Sequence, residues 1–176
     1  MRVEDIFNES FDLLKKQYAV FIAATAIAAL GSILLVTAPP LLFGLYIMGE
    51  KLIRGEEIEI GDVFKGFDYF VTSWVMAIVG GIAIILGLIV FIIPGLILII
   101  RFQYAIPIAI STRSGAIESL KKSYDLGKKN FQFSAILGIM LFVINSIGGI
   151  VGVGFLITCP FTVLCFWNAT QRLIEK

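Results

Sequence analysis

Three long apolar runs dominate the chain, at about residues 18–37, 70–93 and 131–157. Each holds the ~20 residues that a helix rising 1.5 Å per residue needs to cross a hydrocarbon layer of ~30 Å. Proline closes each run, at Pro39-Pro40, Pro94 and Pro160, and a second apolar segment follows at about residues 41–51, 95–111 and 161–173. Proline suits the first turn of a helix, where its missing N–H would be an orphan donor anyway. The pattern therefore predicts an all-α integral membrane bundle of about six transmembrane helices in three proline-turn hairpins. The first and third returning segments are short, so they reach part-way or extend by partly polar turns.

The polar stretches between the runs have their own periodicity. Ile117, Leu120, Tyr124 and Phe131 recur at helical spacing beside Lys121, Lys122, Lys128 and Lys129, which predicts an amphipathic helix in the interface. Those lysines serve as ordinary interfacial anchors or as a site for anionic lipid head groups. The N-terminal run is longer than a signal-peptide h-region, comes after Glu4, Asp5, Glu9 and Asp12, and is followed by no clear A-x-A site, so it is expected to stay in the protein.

A repeat emerges when the polar stretches are aligned. Glu4-Asp5-Ile6-Phe7 with Phe11-Asp12, Gly61-Asp62-Val63-Phe64 with Phe67-Asp68, and Ile117-Glu118-Ser119-Leu120 with Tyr124-Asp125 each precede a long run and a proline-led one. The chain then reads as one membrane domain, 1–176, of three parallel units at 1–56, 57–113 and 114–176. A pseudo-threefold bundle would set Asp12, Asp68 and Asp125 at equivalent places on the cytoplasmic rim. There they cap or solvate helix starts, or form a ring that selects cations.

Composition agrees with the pattern: 59% of residues are apolar and 15% charged, against about 25% charged in soluble domains, with a mean hydropathy of +0.97. That excludes a soluble globular enzyme, a disordered tail and a coiled coil. Fourteen basic and thirteen acidic residues leave +1, which gives nucleic acid no purchase. All thirteen acids and thirteen of the fourteen bases fall on one side of the predicted hairpins. The positive-inside rule then puts both termini and the long connections in the cytoplasm of a cell-membrane protein. There is no histidine, which removes the usual general base and metal ligand; no metal, cofactor or catalytic residue is expected, and the chain does not read as an enzyme. Cys159 and Cys165, six residues apart, are read as packing thiols.

The fourteenth base, Arg101, lies inside an apolar segment, where a charge costs about 2.5–3.5 kcal/mol on insertion scales. Either it snorkels to the outer head groups, or it contacts an anionic group such as a lipid phosphate or carboxylate. Gln103, Asn145 and Asn168 are the polar neighbours expected around it. Pro107 cannot donate to the Gln103 carbonyl, so the helix should open there, with Pro94 and Pro107 as hinges. Gly148 with Gly152, and Gly80-Gly81 with Gly87, predict close helix packing or a homo-oligomer.

One resemblance rests on Gly44 and Gly49 before Arg54-Gly55-Glu56, then Asp62-Val63-Phe64 with Gly66-Phe67. It continues through Ile93-Pro94-Gly95, Arg101 and Pro107, to Ala116 and the stretch from Ser119 to Ser123. Over roughly residues 1–170 the chain resembles uncharacterised prokaryotic multi-pass membrane proteins related to the membrane domain that precedes some glycerophosphodiester phosphodiesterases. The resemblance implies a six-helix membrane module of unassigned biochemistry, with lipids as one candidate substrate class and no phosphodiesterase activity carried over. The leading expectation is a protein that moves or shelters an anionic amphiphile or small solute among membrane lipids. A non-transporting oligomeric scaffold and a cation channel are the alternatives.

Overall fold

In lipid, backbone N–H and C=O groups must be satisfied within the chain, and helices do this segment by segment. The computed structural model describes residues 2–32, 35–90, 92–150 and 154–175. Among them the order is α1 (Val3–Lys16), α2 (Tyr18–Gly31), α3 (Ala38–Ile53), a 3-10 segment (Ile60–Tyr69), α4 (Phe70–Val90), α5 (Ile92–Phe102), α6 (Ala105–Thr112), α7 (Ala116–Lys129), α8 (Phe131–Ile150) and α9 (Phe155–Ile174), with no strand among the described residues.

Length and apolarity single out three stretches able to cross a membrane, Ile60–Val90, Ile92–Thr112 and Phe131–Ile150. Helices α1 and α2, bent by 92° at Gln17, add a fourth if counted as one broken pair. The expected six spans are not reached. Helix α3 has 16 residues, about 24 Å, and α9 carries Asn168, Gln171 and Arg172 in its last turns. In the first stretch every charge, Asp62, Lys65 and Asp68, lies in the 3-10 segment. The crossing part is therefore the charge-free α4, 21 residues and about 31 Å long.

Proline sets two of the three expected boundaries. Pro39 and Pro40 fall in the first turn of α3 and Pro94 in the first turn of α5. Pro160 does not start a helix: α8 ends at Ile150, α9 begins at Phe155, and Pro160 lies inside it. Gly148, Gly149 and Gly154 flank that break, and glycine is the residue helices hold least well after proline.

Helices α3 and α9 form the centre, each burying nine residues. The buried Trp167 indole donates to the Tyr46 carbonyl at 2.5 Å. Helix α1 docks on α9 through an Asn168 Nδ2 donation to Ser10 Oγ at 2.9 Å and a Glu9–Arg172 ion pair. The 3-10 segment runs back along α3. Lys51 Nζ meets Asp62 Oδ2 at 2.8 Å, and a Cβ on Gly44 or Gly66 would overlap the carbonyl oxygen of Val63 or Pro40. Trp74 Nε1, in the second turn of α4, then donates to the Val36 carbonyl at 3.1 Å. The α2–α3 turn thus sits beside the start of α4, not a bilayer thickness away.

Helices α4, α5 and α8 carry the exposed apolar surface, including Ile82, Ile85, Ile89, Ile93, Ile139, Phe142 and Ile147. An exposed apolar surface of this extent fits helices long and apolar enough to cross a membrane. Helix α7 buries Ala116, Ser119, Leu120, Ser123 and Gly127; of the predicted apolar stripe, Leu120 is buried and Ile117 exposed. Small residues win that face because they let α7 lie close to α5: a Cβ on Gly127 would stand 2.9 Å from the Arg101 Cα.

Candidate functional site

The groups able to meet a ligand are best followed along two helix faces. On α3, Phe43, Ile47, Glu50 and Arg54 succeed one another at steps of four, three and four residues. On α6, Ile106 and Ile110 stand four residues apart, and Arg113 follows three residues later at the helix's C-terminal end. Such spacing keeps side chains on one face of a helix. The two faces are apolar at one end and charged at the other.

The apolar end opens as a cleft of about 410 Å³ between α3, α4, α6 and α7, lined among others by Leu42, Phe43, Met76, Ala77, Gly80, Phe102, Ile106 and Leu120. The charged end is a cleft of about 240 Å³ lined by Ile47, Glu50, Arg54, Lys65, Asp68, Tyr69, Ile110, Ser111 and Arg113. Phe43 lines the first and Tyr69 the second, and their rings stand 5.7 Å apart. The apolar cleft alone falls within the ~300–1,000 Å³ usual for ligand sites.

Ion pairing within the charged cleft is uneven. Glu50 pairs with Arg54, and Lys65 reaches out of the cleft to Asp62 at 2.6 Å. Asp68 and Arg113 make no direct ion pair among the described residues, but Arg113 acts electrostatically on Glu50 and Asp68 on Lys65. Arg113 also holds φ at +47°, in the left-handed region, at the end of α6. Asp62, beneath the cleft, is buried; burial raises its pKa, but the Glu59 N–H at 2.9 Å and the Lys51 and Lys65 ammonium groups outweigh this and hold it at about 2.

The residues expected to surround Arg101 are dispersed. The Arg101 guanidinium carbon lies 4.5 Å from the Tyr124 ring centroid, its Nε is buried without a hydrogen-bond partner, and Ser123 Oγ donates to its carbonyl at 2.7 Å. Gln103 Nε2 donates to the Ser134 carbonyl at 3.1 Å, and Tyr104 OH bonds Ser134 Oγ at 2.9 Å. Asn145 joins α8 to α9 through Thr162 Oγ1 at 2.6 Å, and Asn168 joins α9 to α1. Each amide is engaged elsewhere, and Arg101 lines neither cleft. Helix continuity breaks at Gln103 and Tyr104, with Pro107 third in α6.

Asp12, Asp68 and Asp125 are all exposed, on α1, the 3-10 segment and α7. The cleft that Asp68 lines contains neither of the others. Gly148 packs within the chain, where a Cβ would meet Thr158 Oγ1 at 2.6 Å, while Gly152 lies outside the described residues. No metal-holding cluster of His, Cys, Asp or Glu occurs among the described residues. The charged cleft escapes a reading that looks for isolated charges inside spans, because its members sit at helix ends. Its signal in the sequence is the four-three-four stripe from Phe43 to Arg54. Comparison with protein-family models, with curated proteins and with solved structures finds no match for the chain.

Proposed function

We propose that the protein is a membrane-embedded binding protein for an anionic or zwitterionic amphiphile, which it shelters or passes within the bilayer. The observation that carries this is the succession of an apolar cleft and a charged cleft along the same faces of α3 and α6, the polarity profile of a lipid. The acyl chain lies against Leu42, Ala77 and Ile106, and the head group lies between Arg54, Lys65 and Arg113.

Topology fits this use. Helices α2 and α3 form a re-entrant hairpin that enters and leaves one leaflet, and α4 with α5–α6, then α8 with α9, cross and return. Both termini face the cytoplasm, where the lysines and arginines collect. The three units 1–56, 57–113 and 114–176 each supply an amphipathic segment, a long apolar helix and a returning one. Kinship with the membrane domain found before some glycerophosphodiester phosphodiesterases belongs to the same proposal.

The test fills the apolar cleft without touching the core. Ala77 is exposed on the cleft wall, so Ala77→Phe should leave the helical circular dichroism of the purified chain intact and strip co-purifying lipid in native mass spectrometry. Unchanged lipid retention in the folded variant would overturn the reading. A second reading keeps the anion at Arg101, favoured by its buried, unpartnered Nε. On that reading Arg101→Gln abolishes retention and Ala77→Phe spares it.

A further inference from the structure

Resting on the crossing topology proposed for α4 and α5–α6, and independently of the two clefts, we propose that the protein thins the bilayer beside α7, whose charged outer side meets phospholipid head groups at the mid-height of the first crossing helix. The register of the α4–α5 hairpin is fixed near its tip. A Cβ on Gly87 would lie 3.0 Å from the Gly95 Cα, and one on Gly95 would lie 2.7 Å from the Leu88 backbone nitrogen, so residues 87 and 95 stand opposite each other. Away from the tip, Gly80 is seven residues before Gly87 and Arg101 six after Gly95. At ~1.5 Å per residue the two share one height to within about 2 Å. Gly80 is ten residues, about 15 Å, from either end of α4.

Helix α7 touches both points. A Cβ on Gly80 would meet Leu120 at 3.4 Å, Ser123 Oγ donates to the Arg101 carbonyl at 2.7 Å, and a Cβ on Gly127 would stand 2.9 Å from the Arg101 Cα. Leu120 and Gly127 are seven residues apart, about 10 Å along α7, which matches the ~8–10 Å between two packed helix axes. Helix α7 therefore lies across the hairpin at a single height instead of running alongside it. Its outer side carries Glu118, Lys121, Lys122, Asp125, Lys128 and Lys129, all exposed.

The opposite flank has no such interruption. Val71, Ile78, Ile82, Ile85 and Ile89 recur at steps of seven, four, three and four residues and are all exposed, an apolar stripe of about 27 Å along α4. One flank of the hairpin thus fits a whole hydrocarbon layer and the other about half of one. Six charges at the centre of a bilayer draw in water and head groups, and a bilayer that meets a short apolar flank thins against it. The partner is the phospholipid phosphate, because four lysines against two carboxylates leave the strip basic and able to donate to phosphate oxygens. Arg101 is then no longer stranded in hydrocarbon. Its guanidinium, 4.5 Å from the Tyr124 ring centroid, lies at the level of the head groups that α7 holds.

The full-length protein is placed in nanodiscs of phosphatidylcholine and phosphatidylglycerol, with a nitroxide side chain introduced singly at Lys122, Lys128, Ile82 or Ile93, all exposed in the fold. Depth is read from relaxation by oxygen against relaxation by a water-soluble nickel chelate. Ile82 should read at the hydrocarbon centre and Ile93 towards the outer head groups. Lys122 and Lys128, at nearly the height of Ile82, should read at head-group level, an apparent depth difference of about 15 Å. Lysine positions as oxygen-rich as Ile82 overturn the thinning and leave the crossing topology standing. Ile93 at the hydrocarbon centre with Ile82 beside the inner head groups overturns both, because the hairpin then enters and leaves one leaflet. The amphiphile reading is tested separately by Ala77→Phe.

Discussion

A carboxylate with almost no exposure has two ammonium groups and a backbone N–H as its surroundings, so the fate of Asp62 is decided by what remains when it is changed. Asp62→Asn leaves Lys51 part-buried without its counter-charge and is expected to cost about 2–3 kcal/mol of stability. Lys65→Met, which removes the exposed partner, should stay within about 1 kcal/mol. Thermal unfolding in one detergent compares the two. Because the folded carboxyl titrates at about 2, below its ordinary 3.8, its contribution is complete above that ordinary value and is lost as pH falls towards 2. The gap in melting temperature between wild type and Asp62→Asn should therefore close on acidification through this window. Arg113 offers the opposite sign. A non-glycine residue in the left-handed region is strained by about 1 kcal/mol, so Arg113→Gly should raise the melting point even as it weakens lipid binding.

At the scale of elements, the closest approach in the fold is that of the 3-10 segment to α3. Gly44→Ala or Gly66→Ala would drive a methyl group into a backbone carbonyl, which cannot move aside as a side chain can. Either variant is expected to lose most of its folded yield in size-exclusion chromatography. Gly81→Ala, with nothing within 4 Å of the new methyl, should fold as well as wild type or slightly better. This contact also marks where the sequence stops being legible. Apolar length alone locates α4 and α8, and the Pro39-Pro40 pair and Pro94 locate the starts of α3 and α5. The 16-residue α3 is apolar enough to resemble a lipid-facing helix, and nothing local says that the next polar segment will cover it. Its Gly44 is the trace of that burial, while Gly49 packs on Val163 and Trp167 of α9. In the same way, Arg101 is legible as a costly residue, but its cover, Tyr124 on α7, depends on Ser123 and Gly127 giving α7 a flat side. The charged cleft is assembled from three separate elements, and only its α3 stripe is visible along the chain.

Across the whole molecule, the Trp74–Val36 bond is the contact on which the proposed re-entrant α2–α3 pair rests. Spin labels at the exposed positions Leu35 and Val71 should report a separation well under the ~30 Å of the hydrocarbon layer in nanodiscs; a bilayer-sized distance would restore two full spans there. The order in which the ribosome releases the chain meets a constraint in the bonds between α1 and α9. Asn168 is 158 residues after its partner Ser10, a delay of roughly 8–30 s at ordinary elongation rates. Throughout that interval Ile6, Ser10 and Leu14 have no α9 to lie on. The apolar face of the first helix stays uncovered until the last one arrives, so a chain terminated before α9 would leave Ile6 and Leu14 without the packing they have in the fold.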